Sequence, residues 1–371
     1  MKIITRVDPL DRNTAVAGDI LRFTLPHGVW DLSTLRLWFL ATVNGTANYQ
    51  SLPCDVETLI ETLEVWVGTE RVQTIPYNNQ LFRILADYDR NVQDMQARSV
   101  ISNSAWITNG LNNAIYTVNQ SPFCMTQWYG FLGSGAVIDT RAMSGPLTIV
   151  LTLAPNAVLV SNNAAATYAL SDIHLTIQSS DEAPASSFEF ENFKLYLEQN
   201  GSYSQQTQMT VECKKLEWVA ATFLPPDYRS RAISTTTDHH GTSHYFAHGS
   251  GTSTMPNFSW QFRINGKPLL THAPLASNYQ AYMQLLFPDT GLFPTPLVSR
   301  IGTALAPAIA NLIRYVWAVG ARVDEPSTGD AFNVTFDTQL LPNTGAVATA
   351  NFALVIAKFT SRLSADGTLE P

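Results

Sequence analysis

Four of the chain's seven histidines fall within ten residues, in Asp238-His239-His240-Gly241-Thr242-Ser243-His244-Tyr245-Phe246-Ala247-His248. On a helix, His240, His244 and His248 would recur on one face, a spacing that suits three imidazole ligands to zinc. Gly241, Thr242, Ser243 and Gly249 oppose that helix, and the surrounding Thr, Ser and Gly residues read as loop. The favoured reading is an exposed or interfacial polar loop, ahead of a zinc site and of a subunit contact that charges between about pH 5 and 7. No metal is expected, and His240, His244 and His248 stand as weak candidates only.

Other chemistry is thinner. Cleaving a glycosidic bond takes two carboxylates aimed at the same bond, one with its pKa raised by burial. Glu61 with Glu64, and Asp324 with Glu325, are merely close in sequence, and both pairs are expected on solvated surface. The two histidines one residue apart with a following glutamate, as in cupin oxygenases, are absent. So are a Gly-x-Ser-x-Gly elbow, a phosphate-cradling glycine loop with lysine, and paired Cys-x-x-Cys motifs. Cys54, Cys124 and Cys213 are odd in number and lack metal-ligand spacing, so they read as buried apolar fillers. Trp128-Tyr129-Gly130-Phe131 is an aromatic stretch that a glycan could stack on, although core or interface packing fits it better. Lys2, Arg6 and Arg12 make a weakly basic N-terminal stretch that Asp8 and Asp11 nearly cancel. No catalytic residue, cofactor or small-molecule substrate is expected.

The elements around these residues are built from 371 residues of 40.8 kDa, enough for two domains or one large one. The chain is 45% hydrophobic and 14% charged, against roughly 25% charged in an ordinary soluble domain, which rules out intrinsic disorder. The formal charge of −8 and the absence of basic runs oppose tight nucleic-acid binding, which needs clustered cations. Scarce charge also fits a surface largely covered by copies of itself, because interface cores are depleted in charge. The chain shows neither a signal-peptide pattern nor an apolar run of roughly 18 residues, so synthesis and folding are expected in the cytoplasm.

Period-two alternation bounded by Gly, Pro, Asn or Asp dominates, as in Leu21-Phe23-Leu25, Leu63-Val65-Val67, Leu147-Ile149-Leu151-Leu153 and Phe332-Val334-Phe336. Helical spacing is confined to Asn79 to about Ala97 and to Ala308 to about Tyr315. Asn44-Gly45, Asn200-Gly201 and Asn265-Gly266 read as tight hairpin turns. Residues 179–187, apolar-poor and carrying Pro184, read as a linker near the midpoint. Across it the halves echo each other in order: Leu35 to Thr42 with Leu216 to Thr222, and Leu63 to Gly68 with Trp260 to Gly266. Leu153 to Asn156 then matches Leu340 to Asn343, and Ala169 to Ile177 matches Phe352 to Thr360. A duplication is favoured over one irregular β-sandwich with coincidental echoes, and it predicts an all-β chain of two tandem eight-stranded antiparallel jelly rolls with short helices and long loops. The first roll spans residues 1–183 and the second 184–371.

Ala17 to Pro26, Leu35 to Phe39, and Ile60 to Gln73 resemble the first roll of double jelly-roll major capsid proteins of tailless icosahedral bacteriophages and related large DNA viruses. In those proteins a strand ends in a tight glycine turn, followed by a short strand and a helix, here Glu64 to Val67, Gly68, Arg71 to Ile75, and Asn79 onward. The second copy at Phe262 to Tyr282 meets the double version of the fold. The loops at 101–145 and 227–258 are longer, and the N-terminal arm shorter, than the pattern. The resemblance implies a structural protein of the virion, a homotrimer whose six rolls form a pseudo-hexagonal capsomer tiling an icosahedral shell. The implied partners are neighbouring trimers, penton or vertex and minor capsid proteins, and weak contact with the genome or an internal membrane. A carbohydrate-binding or carbohydrate-cleaving β-sandwich and a viral spike protein are the alternatives.

Overall fold

The computed structural model describes residues 2–44, 50–53, 55–89, 119–161, 165–200, 204–224, 229, 258–273, 318–323, 330–340 and 351–370. The alternation seen in the sequence becomes antiparallel sheet throughout, because a strand that turns every second side chain inward must bury that face against another sheet. The described residues form two compact units. Those within Met1–Phe82, Arg98–Phe193 and Thr360–Pro371 make the first, and those within Arg83–Ala97 and Lys194–Phe359 the second.

The first part of the chain forms β1 (Ile4–Val7), β2 (Ala15–Val16), β3 (Ile20–Thr24), β4 (Val29–Asn44), β5 (Gln50–Ser51), β6 (Ile60–Val67) and β7 (Glu70–Ile75). Helix α1 (Asn78–Asp89) follows, then β8 (Ser121–Met125), β9 (Val137–Asp139), β10 (Leu147–Leu153), β11 (Val160–Ser161) and β12 (Thr167–Ser179). One sheet runs β1-β12-β4-β8, with β2 also on β12 and β9 also on β4, and the facing sheet runs β3-β10-β6-β7. Strands β5 and β11 make a separate two-stranded ribbon. Counting the eight long-path strands in chain order, the sheets read 1-8-3-6 and 2-7-4-5, the two interlocked Greek keys of a jelly roll. Leu21, Phe23, Leu35, Val65, Leu147, Ile149, Leu151, Ile173, Leu175 and Ile177 have no exposure and form its core. Each such side chain contributes about 1.5–3 kcal/mol on burial.

The later strands are β13 (Ser187–Asn200), β14 (Gln205–Val211), β15 (Leu216–Leu224), β16 (Phe258–Ile264), β17 (Lys267–Pro268), β18 (Val319–Arg322), β19 (Phe332–Leu340), β20 (Asn351–Ser364) and β21 (Leu369–Glu370). Their sheets run β13-β20-β15-β18, with β21 on β20, and β14-β19-β16-β17. In chain order this is again 1-8-3-6 and 2-7-4-5. All four sequence echoes fall on strands of equal rank: β4 with β15, β6 with β16, the ends of β10 with β19, and β12 with β20. The second core packs Phe223 edge-on to Phe258 and Phe262 against Phe336, with Val211, Val334 and Val355 around them.

Local signals hold where they can be read. The β16–β17 hairpin turns on Asn265 and Gly266, with φ of 50° and 79°, the pair of left-handed residues that a two-residue hairpin loop requires. Asn44-Gly45 and Asn200-Gly201 each reach outside the described residues, as do the helix expected at Ala308 to Tyr315 and the extension of α1 beyond Asp89. Residues 101–145 are not loop throughout: Ser121–Met125 and Val137–Asp139 are strands. Pro122 masks the first of them, yet it is tolerated because β8 is an edge strand and needs no ladder bond on its free side. Among the described residues no helix is long and apolar enough to cross a membrane.

Candidate functional site

His240, His244 and His248 lie outside the described residues, as do Cys54 and the Asp324–Glu325 pair. Among the described residues no group of three or more His, Cys, Asp or Glu side chains is placed to hold a metal. Glu61 corrects its expectation: it is buried rather than solvated, 9% exposed. Alternation along β6 puts Glu61 on the inward face with Leu63 and Val65, whereas Glu64 lies on the outward face and accepts a 2.9 Å bond from Trp66 Nε1. Two carboxylates on opposite faces of one strand cannot flank one glycosidic bond. Cys124 and Cys213 are free thiols, both pushed up to about 11 by burial. At neutral pH they hold their protons, as packing residues do and nucleophiles do not.

The aromatic stretch is packing, not a platform. Phe131 has no exposure and meets Phe188 and Phe190 at 5.5 and 5.4 Å, and Tyr129 stands edge-on to Phe82. Trp128 Nε1 donates to the Leu35 carbonyl at 3.1 Å. An open cleft on the second unit is lined by Gln205, Gln206, Gln261, Arg263, Asp337 and Gln339 among others. Its one carboxylate is occupied on both oxygens, by Gln206 Nε2 at 2.9 Å and Arg263 Nε at 2.6 Å, so it offers no acid–base pair.

The tightest polar constellation of the first unit is built around Gln73 on β7, which is 2% exposed. Its Nε2 donates to the Glu191 carbonyl at 2.9 Å and to Asn192 Oδ1 at 3.1 Å, while its Oε1 accepts from the Phe131 N–H at 2.8 Å. Asn192 Nδ2 in turn donates to Ser361 Oγ at 3.1 Å. Four segments are thus tied: β7, the turn at Gly130–Phe131, β13 and β20. Gly130, at φ 71°, makes room, because a Cβ there would collide with the Gln73 amide. Burial makes such a network stabilising only when every member is satisfied, so it fixes one arrangement of these segments. Sequence reasoning missed it, since Gln73 and Asn192 are 119 residues apart. What it can do chemically is hold a shape.

The arginines near the N-terminus, Arg6, Arg12 and Arg22, are taken up by carboxylates. Arg6 bonds Asp8 at 2.7 Å and Asp172 at 2.9 Å, Arg12 bonds Asp19 at 3.3 Å, and Arg22 lies 3.5 Å from Asp11. Residues 4–7 are not a free arm but pair with β12 in register Ile4 to Gln178 through Val7 to Leu175.

At the level of sequence, no family model and no curated protein matches this chain. Solved structures do. The capsid of the virus PBCV-1 is similar at TM-score 0.62 and 14% identity, over 100% of this chain and 97% of that one. The Sputnik virophage structure is similar at TM-score 0.59 and 10% identity, over 99% and 88%. The major capsid protein of Faustovirus follows at 0.57 and 8%, over 98% and 90%. At such identities the likeness is one of fold. The chain has the double jelly-roll fold of these viral capsid proteins from end to end.

Proposed function

We propose that this protein is the major capsid protein of an icosahedral virus, located in the virion and made in the host cytoplasm. The observation that carries the reading is the repeated strand order, 1-8-3-6 with 2-7-4-5, found twice along the chain and matched over nearly the full length of viral capsid structures. Its mechanism is assembly, with no catalytic residue, cofactor or metal. The two rolls divide at residues 183 and 184, a reading supported by β12 ending at Ser179 and β13 opening at Ser187. Three copies form a pseudo-hexagonal capsomer of six rolls, and capsomers meet one another, vertex and minor capsid proteins in the shell. The paired state of Arg6, Arg12 and Arg22 supports weak rather than tight contact with a genome or an internal membrane.

Light scattering coupled to size exclusion tests this directly. The expected mass is three times 40.8 kDa, with pseudo-hexagonal particles by negative stain. A monomer that stays monomeric at every concentration refutes it and returns attention to glycan binding.

A further inference from the structure

We infer that the polar cleft on the outer face of the β14-β19-β16 sheet binds an uncharged oligosaccharide. The cleft holds about 850 Å³, within the range of small-ligand sites. Register makes its floor continuous. Gln206, Asp337 and Gln261 stand side by side across three strands, and Gln339 and Ser259 form the next row. Directly opposed residues share a face, while the alternate positions, Phe262, Val334 and Phe336 among them, fill the core. One wall is built. Gln261, 8% exposed, donates to the carbonyls of Leu270 and His272 and accepts from the Leu270 N–H. These bonds hold the chain after β17 against the floor and bring Ala273 into the lining.

The chemistry of the floor selects the ligand. Ordinary solvated faces carry lysine and glutamate, which only donate or only accept hydrogen bonds. Here three carboxamides and a hydroxyl, groups that do both, surround a single ion pair. Asp337 takes Gln206 Nε2 on one oxygen at 2.9 Å and Arg263 Nε on the other at 2.6 Å, so the row is fixed before a ligand arrives. Gln206 Oε1, the terminal nitrogens of Arg263, and the side chains of Ser259 and Gln339 make no hydrogen bond among the described residues. Neighbouring sugar hydroxyls each donate and accept, and such a mixed, preorganised row pairs them without stranding a charge. A phosphate or an anionic lipid would need a cation not already neutralised, on a chain of net charge −8. An acyl chain or apolar peptide would need an apolar floor, yet Trp260, the one indole among the described lining residues, is 1% exposed and packed on Phe262.

The duplication sharpens the contrast. In the first unit the strands of equal rank, β3, β10 and β6, put Ile20, Val150 and Trp66 on the corresponding face. Shared topology therefore does not dictate a polar floor; the second unit's own residues do. Without a ring to stack on, each site binds weakly, with a Kd of about 1 mM. The consequence rests on the capsid reading: a shell repeats the site, and multivalent contact with a polysaccharide raises the affinity roughly 100-fold or more.

Saturation-transfer difference NMR tests the full-length protein with maltohexaose, cellohexaose, chitohexaose and mannohexaose, and with oligogalacturonate as the anionic comparison. The test variant carries Gln206→Ala and Gln339→Ala together, two exposed side chains outside the core, and circular dichroism and melting confirm its fold. Thr152→Ala, on the corresponding face of the first unit, is the control. The expected result is binding of at least one neutral hexasaccharide, weakened at least tenfold in the double variant and unchanged in Thr152→Ala. Binding of none of the four, or binding that the double variant keeps in full, overturns the inference and leaves the capsid reading standing. Binding of oligogalacturonate alone, abolished by added salt, assigns the cleft to anions and overturns it as well. A wild type that binds as expected yet never leaves the monomer upholds the cleft and overturns the capsid reading.

Discussion

Replacing Gly130 by alanine is expected to cost the first unit far more than one added methyl group implies, because this turn is buried, and the cost depends on a residue 57 positions away. The new Cβ meets two obstacles. The backbone sits at φ 71°, which costs an L-residue about 1–2 kcal/mol, and the methyl lands on the Gln73 amide. To escape, Gln73 must withdraw from the Phe131 N–H and from the Glu191 and Asn192 acceptors. An orphaned buried partner costs about 1–3 kcal/mol, so the single substitution should destabilise by about 4 kcal/mol. For a unit of this size that is a fall in Tm of about 8–16 °C. Gln73→Ala alone loses the same bonds, about 2–4 kcal/mol, but it also clears the space. In that background Gly130→Ala should cost only the backbone strain, about 1–2 kcal/mol. Urea unfolding followed by tryptophan fluorescence, completed as a double-mutant cycle, measures the difference. A coupling of about 2 kcal/mol or more is expected. Strictly additive penalties would refute the claim that Gly130 exists to admit the Gln73 side chain.

Three further outcomes are expected. A Cβ on Gly145 would stand 2.5 Å from the Gly68 Cα, backbone against backbone, so Gly145→Ala should shift the β6–β7 turn and lower the melting temperature of the first unit by several degrees, read by calorimetry. In a Cys54→Ser background, Cys124 and Cys213 should resist iodoacetamide at pH 8 until urea exposes them. Because burial raises their folded pKa to about 11 from an ordinary value near 9, the unfolded chain loses these protons first, so their contribution to stability is complete below pH 9 and is lost as pH rises toward 11. Asp366 is held below the ordinary carboxylate value by bonds from Ser364 and the Thr368 N–H, so the turn it closes should stay ordered above pH 4 and loosen as pH falls through the lowered value. Amide exchange at Thr368 should show this, and an unchanged rate down to pH 2 would contradict it.

What the sequence made legible was whatever repeats locally. Alternation named β3, β6, β10 and β19, and the ordered echoes anticipated that β4 and β15, or β12 and β20, hold equal rank in two copies of one topology. Asn265-Gly266 carried its own geometry, because few residue pairs accept two left-handed conformations. Strand β8 was lost because Pro122 breaks the pattern that an edge strand is free to break. Closeness to Glu64 along the chain says nothing of strand face, whereas the step of two from Glu61 to Leu63 places Glu61 inward. The Gln73 network and the Gln206–Asp337 pair depend on register between strands more than 100 residues apart, which no local pattern encodes.

The order of synthesis gives one feature of the first unit a consequence of its own. Residues 360–371 belong to that unit, where Asp366 accepts the Ser144 N–H, Ala365 donates to the Ser186 carbonyl, and Leu363 is fully buried. The ribosome makes them only after the whole second unit. A chain cut short between its midpoint and Ser364 therefore leaves the first unit missing part of strand β20 and open to capture by chaperones or proteases. Under the proposed capsid function, only finished subunits would present complete walls to their neighbours, which keeps truncated copies out of a shell that a single defective tile could interrupt.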